Sequence, residues 1–249
     1  MIKRDALLNW LNQLLKPELF QDYAPNGLQI EGNENINTVV GAVTASEAAI
    51  DAAIAFNADA LLVHHGYFWK SEPVVLTGWK KKRIEKLLKH GINLLAYHLP
   101  LDAHPQLGNN VQLAHMMDWQ ILVENTPNNL LTQGMLLQEQ SLESLGQQLQ
   151  QKLERPPLIV GALDKTIKNI AWCTGGAQGF FQEAINLGVD AFITGEASEA
   201  QYHLSNETGV AFISAGHHAT EKFGIQALIN QISIDTRLDT HFFDENNPI

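Results

Sequence analysis

The sequence predicts an α/β fold made of two similar three-layer halves that share a metal site. Three observations carry this reading. Short apolar strands alternate with helical segments along most of the 249 residues, which implies a largely parallel sheet with helices on its faces. The alternation recurs in the second half at a near-constant offset. Metal-binding residue types also stand where apolar runs end: His64 and His65 follow Asp59-Ala-Leu-Leu-Val63, and His217 and Glu221 follow Val210-Ala-Phe-Ile-Ser214. In an open α/β sheet, ligands bind at the carboxyl ends of strands.

In chain order, Leu7, Leu8, Leu11, Leu14 and Leu15 mark one face of an amphipathic helix. Thr38 to Thr44 reads as a strand, and Ser46 and Glu47 open a helix that runs to about Phe56. Ala60 to Val63 is a buried strand. Lys80 to His90 is a helix with Gly91 as its C′ residue. Ile92 to Tyr97 is a strand ending at His98, and Asn110 to Met117 is a helix. From about Glu124 to Pro157 the chain is rich in Gln, Asn and Leu and reads as a connecting segment or domain edge. Within it, Ser141 to Leu153 is a helix, stopped by Arg155-Pro156-Pro157. Strand Asn169 to Thr174, a helix to Leu187, strand Ala191 to Thr194, helix Ala197 to Asn206 and strand Val210 to Ser214 complete the pattern.

Thr44 matches Thr174 at an offset of 130, Asp59-Ala60 matches Asp190-Ala191 at 131, and Gly91 matches Gly209 at 118. Trp69 to Gly78, present only in the first half, accounts for the shorter offset. An internal duplication of a strand-helix-strand-helix-strand unit is inferred. The halves are taken as 1–125, carrying His64, His65 and Asp102, and 126–249, carrying His217 and Glu221. The C-terminal strand is free to return to the first half.

Composition narrows the function classes. A formal charge of −11 argues against non-specific binding of nucleic acid or anionic membranes. Cys173 is the single cysteine, so no internal disulfide forms and a cytoplasmic setting is expected. Asn9, Asn12 and Gln13 interrupt the apolar N-terminal stretch, which is not read as a signal peptide. No apolar run approaches the roughly 20 residues that span a bilayer.

Imidazoles and carboxylates grouped at strand ends are what a transition-metal site requires. His64 and His65 are neighbours, so on an extended strand they point to opposite faces. They converge on one centre only if the strand has ended, or on two metals close together. His217 and Glu221 share one face of a helix that begins near His217, a spacing that helical salt bridges also use; His218 points elsewhere. Asp102 follows a strand and a proline in a loop, as a bridging carboxylate or a turn residue. His98 and His104 are partners of this group, whereas His90, His115, His203 and His241 are read as structural. Thr174-Gly175-Gly176-Ala177 is a plain strand-to-helix turn or an anion cradle. Lys80-Lys81-Lys82-Arg83 is a solvated helix face or a contact for phosphates. Tyr67, Phe68, Trp69 and Trp79 are core, a cap over the site, or a subunit contact.

The chain resembles the GTP cyclohydrolase 1 type 2 homologues, also called Ngg-interacting-factor-three-like proteins, in their short bacterial form. The motifs are Tyr23-Ala-Pro-Asn-Gly-Leu-Gln-Ile30, Val63-His-His-Gly-Tyr-Phe-Trp69, His98-Leu-Pro-Leu-Asp-Ala-His104, Leu107-Gly-Asn-Asn110, Trp172-Cys-Thr-Gly-Gly176, Asp190-Ala-Phe-Ile-Thr-Gly-Glu196 and Gly216-His-His-Ala-Thr-Glu221. The resemblance implies two divalent metal ions per subunit, held by His64, His65, Asp102, His217 and Glu221. Mixed nitrogen and oxygen ligation suits Zn, Mn, Fe or Ni. It also implies a homohexamer with sites facing an internal cavity. Leu99-Pro-Leu-Asp102 replaces the Thr-Asn-Leu-Asp of many members, which retains the aspartate and changes the lining beside it.

The expected function is metal-dependent hydrolysis of a nucleotide-like small molecule. In the cyclohydrolase form, activated water attacks C8 of the guanine ring of GTP, and His98 or Glu196 moves protons as general acid or base. The alternatives are a metal-dependent phosphoester hydrolase and a non-catalytic metal-binding or regulatory assembly protein.

Overall fold

The computed structural model describes residues 1–127 and 129–249, which fall into two compact units. Unit one is Met1–Leu107 with Gly224–Asn246, and unit two is Gly108–Phe223 with Asn247–Ile249. The division follows Leu107, where the sequence reading placed it after residue 125. No helix among the described residues is long and apolar enough to cross a membrane.

Unit one begins with β1 (Ile2–Lys3), α1 (Arg4–Leu15), β2 (Gly27–Ile30), β3 (Asn35–Ile36) and β4 (Thr38–Thr44). It continues through α2 (Glu47–Ala55), β5 (Ala60–His65), α3 (Gly78–Lys89), β6 (Asn93–Ala96) and α4 (Leu99–Asp102). α1 buries Leu7, Leu11 and Leu15, the predicted stripe. Ser46 caps α2, its Oγ accepting the Ala49 N–H at 3.0 Å. Gly91 ends α3 with φ +63. There the N–H groups of Gly91 and Ile92 donate to Leu88 and Leu87 carbonyls at 3.2 and 3.0 Å, a closure that needs a left-handed residue. β4, β5 and β6 are parallel neighbours. Their continuous apolar character follows from burial on both faces. Val40, Leu61 and Leu94 pack with Ile50 and Leu87, and Val39, Leu62 and Leu95 pack with Leu228 and Ile229.

Two expectations change here. β5 does not stop at Val63 but runs through His65. Asp102 lies not in a loop but at the end of the one-turn helix α4, which Pro100 suits because its missing N–H is not needed in a first turn.

Unit two comprises α5 (Asn109–Met116), β7 (Trp119–Val123), β8 (Thr132–Ser141), α6 (Leu142–Leu153), β9 (Leu158–Val160), β10 (Thr166–Trp172) and α7 (Phe181–Asn186). Then come β11 (Ala191–Thr194), α8 (Glu199–Thr208), β12 (Ala211–Ser214) and the start of α9 (His217–Thr236). The sheet order is β7-β8-β10-β11-β12-β9. β10, β11 and β12 are parallel, with β8 and β9 antiparallel beside them. The segment read as a connector therefore contains the ten-residue strand β8, an interior member of this sheet. Asn110 ties α5 to β10: its carbonyl accepts the Trp172 Nε1–H at 3.0 Å, and its Oδ1 accepts the Thr174 N–H at 2.9 Å.

α9 belongs to unit two up to Phe223 and to unit one from Gly224. The chain closes with β13 (Asp239–Phe242), which pairs parallel with β4 in unit one, giving the order β13-β4-β5-β6-β2.

One local design occurs in both units. Asp59 Oδ2 accepts the N–H groups of Asn37 and Thr38 at 2.7 and 3.2 Å. Asp190 Oδ2 accepts those of Lys168 and Asn169 at 3.0 and 2.8 Å. Each aspartate immediately precedes a parallel strand and ties it to the neighbouring strand that comes before it in the chain.

Candidate metal centre

In unit one, β5 ends in His64 and His65, and His98 stands two residues beyond β6. The ring centroids of His64 and His65 are 4.5 Å apart, and His98 lies 5.0 Å from His64 and 5.7 Å from His65. Each of the three rings offers a nitrogen, all within 4.8 Å of one another. Asp102 reaches the group from α4, its Oδ1 3.5 Å from His64 Nε2, with both side chains buried.

Each ring is anchored through Nδ1. His64 Nδ1 lies 3.0 Å from the Tyr97 carbonyl, which only accepts, so Nδ1 donates. His98 Nδ1 lies 2.7 Å from Asp22 Oδ1, and His65 Nδ1 makes a longer 3.4 Å contact with Thr44 Oγ1. Trp69 closes over this group edge-on, 4.9 Å from His98 at 83°, with its Nε1–H held by the Gly66 carbonyl at 3.1 Å.

Unit two has a matching arrangement at the start of α9. His217 Nδ1 lies 2.6 Å from Glu196 Oε1, and His217 Nε2 lies 3.1 Å from Glu221 Oε2, one turn further along the helix. Burial alone lowers the imidazole pKa. The hydrogen bonds and charges of Glu221, and then of Glu196, outweigh it and lift His217 to about 9. The turn after β10 makes room for this pair. Gly175 has φ +71, and a Cβ there would collide with Glu221 Oε1 and stand 3.3 Å from His217 Nε2.

The other candidates take ordinary roles. The Gly175 N–H donates to Thr220 Oγ1 at 3.0 Å and the Ala177 N–H to Thr194 Oγ1 at 3.3 Å, so this turn spends those amides internally. His104 Nδ1 accepts from the N–H groups of Gln106 and Leu107 at 3.2 and 3.0 Å. That bonding, together with a pKa lowered first by burial and then by Lys16, fits a neutral turn-forming ring. Lys80 turns inward to Glu72 at 2.8 Å, and Arg83 lies over the Trp79 ring. Tyr67 is core, its hydroxyl donating to the Ala45 carbonyl at 2.7 Å. His203 pairs with Glu199, and His241 pairs with Asp239 and stacks on Phe56.

Asp22 and Thr220 are the polar residues that the sequence reading missed. Asp22 is 76 positions from His98, and no local spacing links the two. Thr220 sits inside the Gly216-His-His-Ala-Thr-Glu221 motif, and its place one turn into α9 was the available signal.

The donors fit divalent transition metals: imidazole nitrogens and carboxylate oxygens, with His64, Asp102 and Glu221 buried and His65 and His217 partly buried, and with a carboxylate at the Nε2 of His64 and of His217. Imidazoles fixed through one ring nitrogen, leaving the other to face a charge, are typical of metal ligands.

Residues 2–248 match the family model Duf34/NIF3 (NGG1p interacting factor 3). The chain is 54% identical over 248 residues to the "GTP cyclohydrolase 1 type 2 homolog" of Neisseria meningitidis serogroup A / serotype 4A, covering all of both chains. It is similar to a solved structure described as "protein ybgI, unknown function", with TM-score 0.95, 45% identity and full coverage of both chains. It is also similar to a solved protein of Thermus thermophilus, TTHA1606, with TM-score 0.90, 33% identity and full coverage of both. The chain belongs to the Duf34/NIF3 (NGG1p interacting factor 3) family.

Proposed function

We propose that this protein is a dinuclear-metal-dependent hydrolase acting on a nucleotide-like small molecule, with His64, His65, Asp102, His217 and Glu221 as its metal ligands. One observation carries the reading. Each unit presents one imidazole, His64 or His217, anchored through Nδ1 with a carboxylate at Nε2. Two divalent cations, Zn, Mn, Fe or Ni, would supply Lewis acidity and lower the pKa of a water for attack. The residues do the rest. His64 and His217 present Nε2, while Asp102 and Glu221 supply the negative charge that offsets the cations. His98 takes the proton-transfer role. The geometry supports an orienting role for Glu196, whose Oε1 is committed to His217 and whose Oε2 lies 3.3 Å from Gln178 Nε2.

GTP is the first substrate to test, because of the name its relatives carry. Incubation of metal-loaded protein with GTP separates the chemistries: formate marks ring opening, and phosphate marks phosphoester cleavage. Neither product across Zn, Mn, Fe and Ni would overturn the hydrolase reading and leave a metal-binding assembly protein.

Two structural readings accompany this one. The units descend from one duplicated strand-helix-strand-helix-strand element, supported by the equivalent anchoring of Asp59 and Asp190. The protein assembles as a homohexamer, supported by apolar surface on unit one: Val74 is 93% exposed and Trp79 58%, with Val75 and Leu76 also exposed. Light scattering tests the assembly, and a monomer mass at all concentrations would exclude it.

A further inference from the structure

We propose that Asp22 is the positioning residue of this site: it locks His98 in the Nδ1–H tautomer, so that Nε2 is left as the proton-accepting nitrogen for a molecule bound at the His64–His65 cluster. The proposal deepens the hydrolase reading and rests on it for the bound molecule, but its geometry lies wholly within unit one.

Asp22 is buried, its side chain 3% exposed. Its carboxylate accepts four hydrogen bonds. Oδ1 takes the Tyr23 N–H at 2.6 Å and His98 Nδ1 at 2.7 Å. Oδ2 takes Asn26 Nδ2 at 2.9 Å and the Leu99 N–H at 3.0 Å. Asn26 closes the clasp, its Oδ1 accepting the His98 N–H at 2.8 Å. Both the backbone and the ring of His98 are thus held by the Asp22–Asn26 segment.

A carboxylate with these partners has only acceptors to offer. Nδ1 must therefore carry a proton, and a neutral ring then has its lone pair on Nε2. The ring is also fenced sterically, with Trp69 edge-on at 4.9 Å and Tyr23 at 6.3 Å. A nitrogen of the ring lies within 4.8 Å of one from His64 and one from His65. A buried acid that holds an imidazole in one tautomer and orientation, without itself taking the proton, is an established way to aim a base.

The test is the protonation pattern of the His98 ring in the full chain loaded with zinc, read by two-bond ¹⁵N–¹H correlation at a pH where the ring is neutral. His98→Gln assigns the signal. The expected wild-type pattern has the proton on Nδ1 and none on Nε2. In Asp22→Ala no side-chain acceptor faces Nδ1, and the Nε2–H form is expected to gain population while zinc content per chain stays the same. A wild-type ring protonated on Nε2, or an Asp22→Ala ring with the wild-type pattern, overturns the proposal. If Asp22→Ala does not fold, the wild-type pattern alone decides. A chain that takes up no zinc yet shows Nδ1–H ends the metal reading and leaves the assignment of Asp22 standing.

Discussion

Glu196 Oε1 stands 2.6 Å from His217 Nδ1, so the carboxylate fixes which nitrogen of that ring is left for a cation. Outer-shell carboxylates of this kind are worth about 10–100-fold in metal affinity. Glu196→Gln keeps the shape and removes the charge. We expect its metal affinity, measured by chelator competition, to fall by about that factor, with the fold intact by circular dichroism. An unchanged affinity would remove Glu196 from the account.

Metal uptake should release protons. Without a cation, His217 is held between two carboxylates and its pKa is raised to about 9, so at neutral pH the ring is charged. A metal on Nε2 must displace that proton. Affinity should therefore rise with pH up to about 9 and level off above it. Titration calorimetry near pH 7.5 in buffers of differing ionisation enthalpy should show close to one proton released from this ring. No buffer dependence would argue against His217 as a ligand.

Asp22 makes an acid-side prediction. Burial alone would raise its pKa, but His98, Asn26 and the Tyr23 N–H together lower it from 3.8 to about 2. A depressed carboxylate stabilises the fold above its unfolded pKa, and that contribution fades as pH falls through the folded value. Asp22 should thus contribute about 2 kcal/mol at neutral pH, lost between roughly pH 4 and pH 2. Denaturant titrations across that window should show a shallower decline for Asp22→Asn than for wild type. Parallel curves would refute the assignment.

Gly175→Ala tests how tightly the turn after β10 is fitted to the helix that carries Glu221. The new Cβ meets Glu221 Oε1, and the backbone sits at φ +71. Strain of this kind costs about 1–3 kcal/mol. We expect a lower Tm together with weaker metal binding, because Glu221 must move. Normal Tm and affinity would mean that the turn yields freely.

Much of the fold was legible because buried parallel strands read as continuous apolar runs. Thr38–Thr44 and Ala191–Thr194 are observed at the bounds that their composition predicts. β8 was missed for a physical reason. Its inward positions include Thr132, Gly134 and Leu136, of which only leucine looks like core, and its outward positions are rich in glutamine. His64, His65, His98, His217 and Glu221 stood out because histidines and acids at strand ends are conspicuous. Asp22 did not, because a buried aspartate that acts through a histidine on another strand leaves no periodic trace. The end of β5 was misplaced because period-two geometry sends neighbouring side chains to opposite faces, whereas the His64 and His65 rings lie 4.5 Å apart with β5 still extended.

The central proposal is that His64, His65, Asp102, His217 and Glu221 hold two divalent cations per chain. Its most direct test is the metal content of purified protein by plasma mass spectrometry, for wild type, Asp102→Ala in unit one and Glu221→Gln in unit two. Two equivalents per chain are expected in wild type and fewer in each variant, since each alteration removes a proposed ligand. A wild type without bound metal, or either variant with both equivalents intact, would contradict it.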